Sequence, residues 1–243
     1  MVADTSVVSP SHRVAARGPR IRRAPEALAS HTILLTALST LALAACAKVG
    51  EDVFSHETAP FDEPIRAWVQ AHHTPAGERF FLLLSRVGGP SVVVPLSVAI
   101  GIWLRSRRSL PIAGTVLLAP STALALFLAV KSVYRRKRPA GAQRQREKTY
   151  AFPSGHAAAS AAVFGTLGYV LWREELLGSV PSGILATVPS LLIGASRVYL
   201  DVHWPTDVLG GWAVGGAVAA MSAAAYERVR TVTREQGRVL GTV

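Results

Sequence analysis

Apolar residues run along this chain in long blocks nearly free of charge, and the charges crowd into the short gaps between them. Six blocks stand out: Thr32–Ala47, Pro90–Leu104, Pro111–Val130, Gly155–Trp172, Val180–Ala195 and Asp207–Ala225. A helix needs about 17–25 residues to cross a bilayer core, and most of the blocks reach or approach that length. The shorter ones gain reach from snorkelling flanks such as Arg105 or from local thinning of the bilayer. The pattern predicts an all-α integral membrane protein built as a six-transmembrane-helix bundle. Phe80–Val87, cut by Arg86 and closed by Gly88 and Gly89, predicts an interfacial helix instead of a seventh span.

Composition sharpens this picture. The 243 residues have room for one domain of ordinary size; half are apolar and 17% charged, yet the formal net charge is +11. The basic residues divide the chain into an arm at 1–29, rich in Arg, Ala, Pro and Ser and expected to be disordered, a bundle domain at 30–226, and a basic tail at 227–243. With six spans the arm, the Arg105–Arg108 turn and the tail share one side, which the positive-inside rule makes the cytoplasm. The first outer loop then holds Glu51, Asp52, Glu57, Asp62, Glu63 and Glu78. Trp103 and Trp172 would mark the inner interface, and Trp68 and Trp204 the outer one. One segment breaks the rule: 131–148 holds eight Lys or Arg and one Glu, yet falls outside. An anionic substrate at the outer surface explains that charge better than nucleic acid does, so no nucleic-acid partner is expected. The sole cysteine, Cys46, excludes an intrachain disulfide and a cysteine-rich metal site. Its setting after Leu43-Ala44-Ala45 is similar to a lipoprotein processing site, but an uncleaved first span is the favoured reading.

The chemistry sits at the ends of the blocks. Lys131 and Arg138 lie seven apart, so a helix continuing out of the third block puts both on one face, until Pro139 ends it. Pro153-Ser154-Gly155-His156 opens the fourth block. There Ser154 suits an N-cap, Gly155 allows close backbone approach, and the free amides of a helix start favour an anion. Ser196 and Arg197 end the fifth block, and His203 precedes Asp207 by four residues at the start of the sixth. Asp207 can then orient the His203 imidazole, leaving its other nitrogen as a nucleophile. Three cations, two histidines and a carboxylate are what phosphoryl transfer asks of a protein: charge for the oxygens, a nucleophile for phosphorus, an acid for the leaving group. No cluster has convincing metal-ligand spacing.

Lys131-x6-Arg138-Pro139, Pro153-Ser154-Gly155-His156 and Ser196-Arg197-x5-His203-x3-Asp207 together resemble the type 2 phosphatidic acid phosphatase (PAP2) superfamily of membrane lipid phosphatases, at every motif position. The resemblance implies a metal-independent hydrolase of lipid phosphates with no cofactor, and the loop charges put its site on the outer face of the cell membrane. His203 would form a phosphohistidine, His156 would act as acid and then base, and Lys131, Arg138, Ser154, Gly155 and Arg197 would bind phosphate. Undecaprenyl diphosphate, phosphatidic acid and phosphatidylglycerol phosphate are the expected substrates, in that order. A phosphotransferase passing the phosphoryl group to a lipid or sugar hydroxyl is the first alternative, and a non-catalytic lipid-binding or transport module the second. Vanadium haloperoxidases share the phosphate cradle, but six spans in so short a chain argue against one. Oligomeric state leaves no mark in the sequence.

Overall fold

The computed structural model describes residues 23–107, 110–141, 144–145 and 149–239; the expectation of disorder for the basic arm falls, up to residue 22, outside them. The described residues form eight helices and no strand: α1 (Arg23–Phe54), α2 (Ala59–Ala71), α3 (Pro75–Val87), α4 (Pro90–Arg107), α5 (Leu110–Tyr134), α6 (Gly155–Arg173), α7 (Ser179–Tyr199) and α8 (Pro205–Val239). Each of the six apolar blocks lies within one long helix, and Phe80–Val87 forms most of α3.

Length and apolarity let four helices cross a bilayer: α1, α5, α7 and α8. The pair α3 and α4, bent by 43° at its break, adds a fifth as a broken span. Helix α6 is long enough at 19 residues, but Gly, Ala, Ser and Thr dilute its apolar content. The reason is its position. It packs against α5, α7 and α8, burying Ala157, Ala158, Ser160, Ala162 and Thr166 among others. A helix enclosed by protein needs small residues for close packing more than bulky ones for lipid. By contrast α1 and α7 turn Ile33, Leu34, Leu41, Val180 and Ile184 outward, all more than half exposed, as a lipid-facing surface requires. The chain is a multi-pass membrane protein.

Helix α8 is the axis of the bundle, packing on α1, α5 and α6. Its Gly211 and Gly215 make that possible. A Cβ at Gly211 would lie 2.5 Å from the Ser154 carbonyl oxygen, and one at Gly215 would collide with the carbonyl of Ala158. The glycine pair is thus consumed by packing within the chain.

Two short helices gather at one end of the bundle. Thr74 caps α3 by accepting from the Gly77 N–H at 3.1 Å, with Pro75 in the first turn. Helix α2 also carries a proline, Pro60, in its first turn, and its Asp62 is 1% exposed. That end also holds the close of α5, the start of α6, the close of α7 and the start of α8, which are the four places where the sequence put its chemistry.

Candidate active site

Lys131 stands in the last turn of α5, with its Nζ 4.6 Å from the centre of the Phe127 ring. The continuous helix expected from Lys131 to Arg138 does not form. Helix α5 stops at Tyr134, and Arg135 adopts a left-handed φ of 42°. The reason is local: Pro139 disfavours helical geometry at Arg138, and the segment is instead tied down by the Ala151 N–H, which donates to the Arg136 carbonyl at 2.8 Å. Past that turn the chain alternates: Arg135 and Lys137 are exposed, while Arg136 and Arg138 point inward. Lys131 and Arg138 still converge. They line one cavity of about 180 Å³ with Gly155, His156 and His203. Apart from Thr149, its remaining lining is apolar, with Val94, Leu124 and Phe127 among it.

Arg138 is anchored by carbonyls, donating to Thr149 at 2.8 Å and Val202 at 2.6 Å, and its Nη1 lies 3.0 Å from His203 Nε2. A guanidinium has no acceptor, so His203 Nε2 accepts, and the proton of the neutral ring sits on Nδ1. That nitrogen faces Asp207 Oδ2 at 3.5 Å, beyond a formed hydrogen bond. His203 is 2% exposed. Burial, and after it the charges of Arg138, Arg197 and Lys131, hold its imidazole well below the ordinary histidine value. The ring is therefore neutral, with its Nε2 lone pair directed at the cations of the cavity.

The other expected residues stand behind this surface. Ser154 takes the N-cap position of α6 in an extended conformation, but its hydroxyl makes no capping bond. Its own N–H is held by the Asp207 carbonyl at 2.8 Å, and its buried Oγ has no partner. Gly155 is required by contact, since a Cβ there would meet the Phe127 ring at 2.8 Å. Arg197 is fully buried, donating from Nη1 to Gln145 Oε1 at 2.7 Å and to Ser85 Oγ. Five of the eight expected residues thus line the cavity, and Ser154, Arg197 and Asp207 support it from within.

Residues 112–230 match the PAP2 superfamily, and the site lies inside that stretch. That stretch of the chain belongs to the PAP2 superfamily. Phosphatidylglycerophosphatase B of Bacillus subtilis (strain 168) is 35% identical over 135 residues, covering 54% of this chain and 66% of the relative. An undecaprenyl-diphosphatase of Sulfolobus acidocaldarius is 29% identical over 147 residues, covering 58% and 66%. The chain thus spans just under two thirds of the length of these relatives. Among solved structures, a transmembrane PAP2-type phosphatidylglycerolphosphate phosphatase from Bacillus subtilis superposes with a TM-score of 0.70 at 26% identity, over 76% of this chain and 93% of that one.

The candidate site also recruits residues that the motifs do not mark. Arg136 Nη1 donates to Asp207 Oδ1 at 2.8 Å and to Thr206 Oγ1 at 2.7 Å; its Nη2 donates to Asp62 Oδ2 at 2.7 Å and to Thr58 Oγ1 at 2.8 Å. Asp62 accepts in addition from the Thr206 N–H at 2.9 Å and from its hydroxyl at 2.7 Å. A carboxylate of α2 therefore sits on the first turn of α8, where the helix dipole favours negative charge. Arg66 forms a two-pronged pair with Asp201, at 2.6 and 3.0 Å. Trp204 lies between Arg66 and Arg136, each 5.4 Å from its ring, and donates from Nε1 to the Lys137 carbonyl. Ser85 and Gln145 were equally unmarked.

Proposed function

We propose that the chain hydrolyses the phosphate or diphosphate of a membrane lipid, without a metal ion, through a phosphohistidine on His203. The observation that carries this reading is one cavity lined both by Lys131, Arg138, His156 and His203 and by the apolar Val94, Leu124 and Phe127. A phosphate would meet the charged residues of this lining, and an acyl or prenyl chain the apolar ones. As Arg138 turns from His203 Nε2 to the phosphate oxygens, the freed Nε2 lone pair attacks phosphorus, and the bond to the leaving oxygen breaks as His156 gives that oxygen a proton. Asp207 faces the cation that forms on the imidazole. In the second step His156 takes a proton from water, the water oxygen attacks phosphorus, and the N–P bond breaks to release inorganic phosphate. Lys131 and Arg138 hold the charge that builds on the phosphoryl oxygens at the cavity surface, backed by the buried charge of Arg197 and by the Ser154 hydroxyl, which the fold leaves without a partner.

The proposed substrates are phosphatidylglycerol phosphate and undecaprenyl diphosphate, the lipids named by the two relatives, with phosphatidic acid third. The proposed orientation puts the site on the extracytoplasmic face, because the arginine-rich turn between α4 and α5 and the basic end of α8 lie at the opposite end of the helices. Phosphate release by detergent-purified wild type and His203→Ala, with EDTA present, tests the reading on all three lipids. Release by wild type with a loss of about 10⁴-fold or more in the variant is expected. Equal rates would remove His203 from the chemistry. Silence of a folded wild type would favour transfer to a lipid or sugar acceptor instead of water.

A further inference from the structure

We propose that Arg136 and Asp62 are positioning residues that aim Asp207 at His203, so that α2, which lies outside the family-matched stretch, supplies part of the reaction machinery. The proposal rests on the hydrolytic reading above.

Two arginines, two positions apart on a chain that alternates inward and outward, bracket the His203–Asp207 pair from its two ends. Arg138 meets His203 at Nε2, and Arg136 meets Asp207 at Oδ1. Because Oδ1 is held by Arg136 and Oδ2 by the Trp204 N–H at 2.8 Å, the Asp207 carboxylate has one rotation available, with Oδ2 toward His203 Nδ1. Arg136 is fixed in turn by Asp62, which is itself locked to Thr206 by two hydrogen bonds. Every polar atom of the Asp62 carboxylate is used within this network. The guanidinium fork suits the arrangement because it reaches two carboxylates with a different nitrogen each.

Both terminal nitrogens of Arg136 are taken by carboxylates and threonine hydroxyls, which leaves them no bond to give a phosphate. It lines a different cavity, of about 620 Å³, bounded by α2, Tyr134 and Trp204, while the cavity holding His203 is lined by Lys131 and Arg138. Removing Arg136 should therefore impair turnover and leave substrate affinity alone. Groups that act through an oriented partner typically cost about 10–100-fold when lost.

The test is steady-state phosphate release from phosphatidylglycerol phosphate in mixed micelles by Arg136→Gln, Arg136→Lys and Asp62→Asn. Each variant is first shown monodisperse by size exclusion. We expect kcat to fall about 10–100-fold in Arg136→Gln with KM within about threefold. Arg136→Lys should recover part of the loss, since it keeps the charge without the fork. Asp62→Asn should lower kcat in the same selective way. In an Asp207→Asn background, Arg136→Gln should cost less than about threefold more, because its effect passes through Asp207. Full additivity in that background, or a raised KM with unchanged kcat, would overturn the proposal. Silence of the wild type on every lipid would end the hydrolytic reading only. Orthovanadate affinity measured by calorimetry then decides: weakening of about tenfold by Arg136→Gln, absent in the Asp207→Asn background, supports positioning, and an unchanged affinity rejects it.

Discussion

Both ends of the bundle bury a carboxylate beneath an arginine, and they treat it differently. At the end away from the cavity, Glu227 of α8 is 1% exposed, takes two bonds from Arg173 at 2.5 and 3.0 Å, and accepts from the Tyr169 hydroxyl at 2.8 Å. Beside it the Tyr226 hydroxyl donates to Glu174 at 2.5 Å. Each polar group finds its partner inside the cluster, and the cluster ties α6 to α8. At the cavity end Asp207 is equally buried and equally held, but the groups around it are left incomplete. His203 Nδ1 stops at 3.5 Å from the carboxylate, and the Ser154 hydroxyl has no partner at all. Satisfied networks rigidify, whereas buried polar groups left open are costly and call for an explanation. On the proposed reading, a phosphoryl oxygen is the missing partner of the Ser154 hydroxyl, and the imidazolium formed on His203 closes the gap to Asp207.

The contrast can be broken most sharply at Ser154. If its hydroxyl waits for a phosphoryl oxygen, Ser154→Ala should lower kcat by about 10²–10³-fold. It should leave thermal stability unchanged or slightly raised, because an unsatisfied buried group is removed. A destabilised variant with normal turnover would assign Ser154 to the fold.

Glu227→Gln should do the reverse. Breaking a buried pair typically costs about 3–5 kcal/mol, and the 22% exposure of the Arg173 side chain puts the effect at the lower end. A scanning measurement in detergent should show the lowered melting temperature, with kcat within about twofold of wild type. Loss of activity in a folded Glu227→Gln protein would merge the two ends into one functional unit.

The smallest effect is on pH dependence, and it sharpens the same distinction. The proposed nucleophile must be neutral, and burial with Arg138, Arg197 and Lys131 holds His203 well below 6.5. As pH falls the ring therefore stays unprotonated past the ordinary histidine range, and the acid limb of kcat/KM due to His203 lies below pH 6.5. Arg138→Gln removes one of the depressing charges, so the limb should move to higher pH. A limb that moves lower, or stays fixed, would show that the cations do not tune the nucleophile.

The spans and the motifs could be read from the sequence because both are local. A block of apolar residues or a His four places before an Asp announces itself within one or two helical turns. Asp62, Arg136, Ser85 and Gln145 could not be read so, since their partners lie 52 to 144 residues away. Asp62 looked like one more acid of an outer loop, and only packing α2 on the start of α8 turned it into a buried anchor. Arg136 was hidden in a run of cations, although the inward alternation of 136 and 138 would have been a usable signal once the helix was known to stop at Tyr134. The expected Ser154 cap failed for a related reason: a favourable residue at a helix start says nothing of where its hydroxyl is needed.

The contact of Gly211 with the start of α6 has a consequence beyond packing. His156 opens α6, and His203 and Asp207 sit where α8 begins, so the two halves of the proposed chemistry are carried on two separate rods. Those rods touch one turn away, at the Ser154 carbonyl and the Ala157 methyl, with no side chain between them that can change rotamer. The spacing of the two histidines is thereby set like the jaws of a calliper, by hard contact at the hinge. Bilayer thickness, lipid pressure and the rocking of outer helices can alter what reaches the jaws while leaving the gap between them unchanged.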